Sequence, residues 1–293
     1  MGIVYAIAIL GGLGLIFGTV LAIASKVFYV ETDPRLDQLN ECLPGANCGG
    51  CGYAGCEGYA VAVVNDPDVS PNLCVVGGSQ CAASIGELTG KLTTEMEPLR
   101  VYRRCDKNKG QVLQRYDYQG IPSCAAAAAL HSGSDQCSYS CLGFGDCVKT
   151  CSFGGLHLEN YVVKVNSDIC TGCGSCVKAC PRNVLELIPR RAKVAIACST
   201  KDKLKAVMDV CKVGCIHCSK CVKACPAQAI SMQNDRIVID HRKCLDYEGD
   251  CGSACAVGCP RKIIHFRHVE PAAPETPAEA PASAEQEQSQ PAA

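Results

Sequence analysis

Cys170-Thr-Gly-Cys173-Gly-Ser-Cys176-Val-Lys-Ala-Cys180-Pro181 constrains this chain more than any other stretch. Three thiols three positions apart, then a fourth four positions on and a proline, wrap three corners of a cuboidal [4Fe–4S] core. The fourth thiol of such a run turns away and ligates a neighbouring cluster. The run therefore demands partner thiols on both sides.

The rest of the chain can supply them, because 26 of its 293 residues are cysteine. In a small secreted protein that density reads as a disulfide framework. Here the thiols sit in C-x-x-C-type runs, which in a reducing compartment mean metal ligation. With no Trp and only 5 Phe, the core must rest on Val, Ile, Leu and Ala. Metal centres then replace part of the core, and folding is coupled to their binding.

From Ile3 to Ala24 no residue is charged. As a helix that stretch is long enough to cross a hydrocarbon core. A signal peptide would need a basic start and a shorter apolar region; here Lys26 and Arg35 follow the segment and no base precedes it. Residues 1–26 are thus expected to be a membrane anchor with the bulk of the chain on the cytoplasmic side. Gly14-x-x-x-Gly18 is either a packing stripe for another membrane helix or the ordinary glycine content of such helices. Residues 27–41 form a juxtamembrane connector, helical from about Glu31 to Asn40.

Residues 42–90 contain Cys48, Cys51, Cys56 and Cys74, a complete four-thiolate set among closely spaced glycines. Zinc also accepts four thiolates, but the uneven spacing and the glycines favour a cluster. Cys42 falls outside the set, and Cys81 reads as a buried thiol on a helix from Ser79 to Thr89. A connecting segment, 91–133, shows a turn at Lys107–Gly110 ahead of a short strand, and a helix beginning at Cys124.

Residues 134–189 hold a loosened run, Cys137, Cys141, Cys147 and Cys151, then an alternating hairpin at Leu156–Val165 and the run from Cys170. Crossed ligation gives one cluster to Cys137, Cys141, Cys147 and Cys180, and another to Cys170, Cys173, Cys176 and Cys151. A basic linker, 190–213, follows. Residues 214–268 repeat the plan, with Cys-Val-Lys-Ala-Cys-Pro recurring at Cys221. There the sets are Cys215, Cys218, Cys221 with Cys259, and Cys244, Cys251, Cys255 with Cys225. His217 lies inside a cluster loop whose thiols already complete the set. Cys105, Cys124, Cys198 and Cys211 remain, either as buried thiols or as a sixth cluster. The tail, 269–293, is Pro, Ala, Glu and Gln and too poor in apolar side chains to order itself. The fold class is therefore α+β: one N-terminal transmembrane helix, a small four-Cys domain, and two tandem two-[4Fe–4S] ferredoxin-like modules.

The chain has no dinucleotide fingerprint, no Walker loop and no nucleophile–base pair. At least five one-electron centres tethered to a membrane describe an electron relay without substrate chemistry of its own. The helix, the Leu43-Pro-Gly-Ala-Asn-Cys-Gly-Gly-Cys-Gly-Tyr-Ala-Gly-Cys56 stretch and Cys141-Leu-Gly-Phe-Gly-Asp-Cys-Val-Lys-Thr-Cys151 resemble the B-subunit family of the Rnf electron-transport complexes. That resemblance implies a cytoplasmic-membrane complex that oxidises soluble ferredoxin, reduces NAD⁺ on other subunits and translocates sodium ions or protons. It also implies ligands at Cys48, Cys51, Cys56, Cys74 and in the runs from Cys137 to Cys180. Two other readings stay open, a related complex reducing a redox sensor and a zinc-stabilised membrane adaptor; a relay subunit of a hydrogenase-like enzyme lacks support from the N-terminal domain.

Charge is partitioned. Residues 27–177 carry 10 Lys/Arg against 16 Asp/Glu, whereas 178–268 carry 17 against 8. The second stretch is suited to steering an acidic protein such as ferredoxin, or to offsetting the negative charge of the clusters.

Overall fold

The structure is a computed structural model that describes residues 2–28 and 33–266. The acidic tail and the connector residues 29–32, Glu31 among them, lie outside the described residues. The chain divides into two compact units, Met1–Met96 and Glu97–Ala293. Segments expected as connector, linker and two modules are thus parts of one folded body from residue 97 onward.

In the first unit, helix α1 (Gly2–Val27) meets no charge before Lys26. Its Ile9–Val27 stretch has a mean hydropathy of 1.8 and none of it is buried, so Leu10, Phe17 and Leu21 are exposed. Such a surface is stable in hydrocarbon, not in water. Helix α2 (Arg35–Cys42) starts where Asp33 Oδ1 accepts the Arg35 N–H at 2.9 Å. Helices α3 (Gly55–Asn65) and α4 (Gly78–Thr89) pack with it around Leu39, Tyr59, Val63 and Ile85. Lys91 closes the unit, donating to the carbonyls of Asp66 and Val69 at 2.6 and 2.8 Å.

The second unit runs β1 (Leu99–Arg103), α5 (Cys124–Ala129), α6 (Asp146–Lys149), β2 (Leu156–Glu159), β3 (Val162–Val165), α7 (Ser175–Lys178), β4 (Leu185–Pro189), β5 (Val194–Ile196), α8 (Leu204–Val210), α9 (Lys220–Ala224), β6 (Ile230–Gln233), β7 (Arg236–Ile239), α10 (His241–Leu245), α11 (Ala254–Val257) and β8 (Ile264–Phe266). Its strands form four two-stranded antiparallel sheets. Two are tight hairpins, β2–β3 and β6–β7. Their turns, Asn160-Tyr161 and Asn234-Asp235, have both residues at positive φ, the turn geometry whose twist matches that of the strands.

The other two sheets are long-range. Strand β1 pairs with β4, Leu99 opposite Pro189, and β5 pairs with β8, Val194 opposite Phe266. The linker is therefore not a linker: it contributes β5 and α8. The strand expected after Gly110 is reduced to two isolated bridges, Val112 with Cys211 and Gln114 with Asp135. Each half thus has the same parts, a hairpin plus a sheet whose outer strand comes from upstream. Val101, Leu156, Val163 and Leu185 fill the first half, and Ile196, Ile230, Ile237 and Ile264 the second.

Candidate metal centres

The opening run folds as a loop with glycine at two positive-φ points, and at the first of them a side chain has no room. Gly172 has φ +74°, and a Cβ there would sit 2.3 Å from the Leu99 carbonyl oxygen. Gly174, at φ 80°, starts α7 and so presents Cys176 inward. Burial, with Cys173, Cys170 and Cys151 close by, pushes the Cys176 thiol up to about 12. The Cys170 sulfur accepts the Val101 N–H at 3.4 Å. Cys151, Cys170, Cys173 and Cys176 are thus brought together, as the spacing requires.

The neighbouring set differs from expectation. Around Cys147 stand Cys141, Cys180 and Cys124, and burial with these thiols raises Cys147 to about 12. Those four line a cleft of about 380 Å³, and Cys137 does not. The reason is register. Cys141-Leu-Gly143-Phe144-Gly145-Asp-Cys147 superposes in sequence on Cys170-Thr-Gly172-Cys173-Gly174-Ser-Cys176, with glycines at equivalent positive-φ positions. Phe144 therefore stands where the second thiol of the run belongs, and Cys124 arrives from outside the run to replace it. Its helix is pinned there by Asp146, whose Oδ2 accepts from the Ala125 N–H and from Ser123 Oγ, both at 2.9 Å. The alignment of the two runs was the signal available in the sequence; the origin of the substitute thiol was not.

Cys137, displaced from that set, lines another cleft, of about 400 Å³, with Cys105, Cys198 and Cys211. The left-over thiols of the sequence thus do converge, but with Cys137 in place of Cys124.

In the second half, Cys215, Cys218, Cys221 and Cys259 line a cleft of about 390 Å³ that His217 also borders. Burial beside Cys198, Cys221 and Cys259 lifts Cys215 to about 12. Cys255 stands beside Cys225, Cys244 and Cys251, and burial with these raises it to about 11. The six-residue gap after Cys244 is spanned by the end of α10 and a loop, so both crossed sets come together.

In the first unit, Cys51, Cys56 and Cys74 pack against one core, and Cys48 opens the same loop half-buried. Asn47 Oδ1 accepts the Cys56 N–H at 2.8 Å and fixes the turn. A hydrogen bond from the Cys81 thiol holds Cys74 down to about 6, and the Gly77 N–H adds to it at 3.4 Å. Cys81 is buried on α4, 3.9 Å from the Cys42 sulfur.

Thiols crowded together and buried cannot all ionise unless a cationic group joins them. Three of the thiol sets ring clefts, an arrangement suited to a multi-atom core bound at its corners.

Comparison with known proteins agrees with this chemistry. The Fe-S cluster family model matches residues 43–76, the 4Fe-4S binding domain 163–186 and the 4Fe-4S dicluster domain 214–263. The B subunit of the proton-translocating ferredoxin:NAD(+) oxidoreductase complex of Clostridium ljungdahlii is 45% identical over 254 residues, 86% of this chain and 89% of that protein. Its counterpart in the ion-translocating oxidoreductase complex of Methanosarcina acetivorans is 43% identical over 90% of this chain and 98% of its own length. The B subunit of the Na(+)-translocating ferredoxin:NAD(+) oxidoreductase complex of Acetobacterium woodii is 39% identical, covering 88% and 77%. On identity and coverage of that extent, the chain belongs to the family of B subunits of ion-translocating ferredoxin:NAD(+) oxidoreductase complexes.

Proposed function

We propose that this chain is the electron-relay subunit of such a membrane complex, taking electrons from reduced soluble ferredoxin and passing them to other subunits for NAD⁺ reduction coupled to ion translocation. The observation that carries the reading is the recurrence of four-thiol sets, joined in one chain to an apolar helix. A [4Fe–4S] cluster bound by four thiolates supplies reversible one-electron transfer, its potential set by hydrogen bonds, charge and exposure.

Five sets hold clusters in this reading: Cys48, Cys51, Cys56 and Cys74; Cys124, Cys141, Cys147 and Cys180; Cys151, Cys170, Cys173 and Cys176; Cys215, Cys218, Cys221 and Cys259; Cys225, Cys244, Cys251 and Cys255. The last four belong to two tandem ferredoxin-like modules. The protein's own contribution is positional. Its glycine turns let amide N–H groups approach the sulfurs. Helix α1 anchors the chain, and Lys26 and Arg35 hold the cluster domains on the cytoplasmic side.

The test is to mix the anaerobically purified full chain with reduced ferredoxin in a rapid-mixing spectrometer. Bleaching of the visible cluster absorbance, with re-oxidation of the ferredoxin, is the expected result. A colourless, zinc-containing chain would point to the adaptor reading instead. An iron-loaded chain that leaves ferredoxin reduced would remove ferredoxin as donor.

A further inference from the structure

Five sets of four leave six of the 26 cysteines. Cys42 and Cys81 pack together in the first unit. Cys105, Cys137, Cys198 and Cys211 come from four distant stretches, and the fold gathers them by repeating one pattern in both halves. Cys105 lies just beyond β1, and Cys198 equally just beyond β5. Cys137 precedes Cys141 by four residues, and Cys211 precedes Cys215 by four. Each half therefore contributes two thiols from equivalent places. The halves meet there: Cys105 and Cys198 face each other in an antiparallel bridge, and Val112 bridges to Cys211. Val112, Cys137, Val207 and Cys211 are buried as one small cluster.

The hydrogen bonds repeat too. The Cys141 N–H donates to the Cys105 sulfur at 3.5 Å, and its counterpart, the Cys215 N–H, donates to the Cys198 sulfur at 3.3 Å. The amide of Tyr139 approaches Cys137, and those of Val213 and Gly214 approach Cys211. Amide donors bind a thiolate more strongly than a thiol, and the Val101 amide does the same for Cys170 in the opening run. Cations close round the site through the backbone. Arg104 donates to the Cys198 carbonyl at 3.2 Å, Arg261 to that of Cys211 at 2.9 Å, and Arg182 to that of Cys137 at 3.4 Å. Arg104 and Lys107 line the cleft together with Asp106 and Asp202. Four thiols line this cleft, as four line each of the two run-built clefts.

We propose that Cys105, Cys137, Cys198 and Cys211 hold a sixth [4Fe–4S] cluster that joins the two ferredoxin-like halves into one electron path. The proposal rests on the relay reading above. Its placement follows from the two amide bonds: Cys141 belongs to a set of the first half and Cys215 to a set of the second, and each touches one of these sulfurs. One electron enters and one leaves, with no bond made and no proton moved. The reduced ferredoxin that feeds the relay supplies it, and the next protein of the complex takes it up.

Native mass spectrometry and iron analysis of the anaerobically purified full chain test this without any substitution. About twenty-four iron atoms per chain are expected from six clusters. About twenty iron atoms, with or without one zinc, would overturn the sixth cluster and leave the relay reading intact, whereas a chain without iron would remove both. A Cys105→Ser/Cys211→Ser double variant should retain about twenty iron atoms and lose one electron-spin signal of the reduced protein. Unchanged iron in that variant would also overturn the assignment.

Discussion

Arg104 Nη2 donates a 2.6 Å hydrogen bond to the carbonyl oxygen of Ile237. The same guanidinium pairs with Glu186 at 2.7 Å and reaches the Cys198 carbonyl. One buried side chain, 3% exposed, thus ties the end of β1 to β4, to the stretch after β5 and to β7. Arg104→Leu leaves two carbonyls and a half-buried carboxylate without their donor, a cost of about 3 kcal/mol. The expected outcome is faster loss of visible absorbance in guanidinium, with the iron content of the native protein unchanged.

Cys124→Ala should remove about four iron atoms, because the set with Cys141, Cys147 and Cys180 loses a corner. Adding Phe144→Cys to that variant restores a thiol where Cys173 stands in the second run. Recovery of the iron and of the corresponding spin signal is expected. If Cys137 were the fourth ligand instead, Cys124→Ala would leave the iron count as it was.

Gly172→Ala puts a methyl group 2.3 Å from the Leu99 carbonyl oxygen at a φ that side chains resist. Backbone must move, at a cost of about 3 kcal/mol. Loss of the Cys151, Cys170, Cys173 and Cys176 cluster is expected, read as a drop in iron while the set in the first unit keeps its own. Gly252→Ala is the control: φ is +50° there, but nothing lies within 4 Å.

In the second half, Ser219 occupies the position of Gly174 with φ 56°, and its side chain makes no capping bond to α9. Ser219→Gly relieves a left-handed backbone and should stabilise this half by about 0.5–1 kcal/mol. A longer half-life of the cluster absorbance in denaturant would register it.

Residues 178–268 carry 17 Lys/Arg against 8 Asp/Glu. If they steer an acidic ferredoxin, the second-order rate of cluster reduction should fall about tenfold or more between low salt and high salt. A rate indifferent to ionic strength would assign those charges to offsetting the clusters alone.

Spacing made the runs legible because each loop is local: Cys170, Cys173 and Cys176 converge through their own turns. The Leu156–Val165 hairpin was equally readable from its alternation. What escaped was supplied across distance. The Leu99–Pro189 and Val194–Phe266 pairings join segments with no local periodicity in common, and three residues of β5 inside a basic stretch read as linker. The exchange of Cys124 for Cys137 belongs to the same class. Phe144 betrayed a missing corner, yet only tertiary structure shows which thiol fills it.

The pairing of β5 with β8 also dictates an order of manufacture. Strand β5 has no partner until Ile264–Phe266 has been synthesised, and Cys215 lacks its fourth thiol until Cys259 has emerged. The first unit, by contrast, has all its helices and thiols by Met96. On a ribosome, where domains fold as they emerge, the first unit can accept its iron early. The second half cannot close its β5–β8 sheet before Phe266 has emerged, so it folds after the first unit.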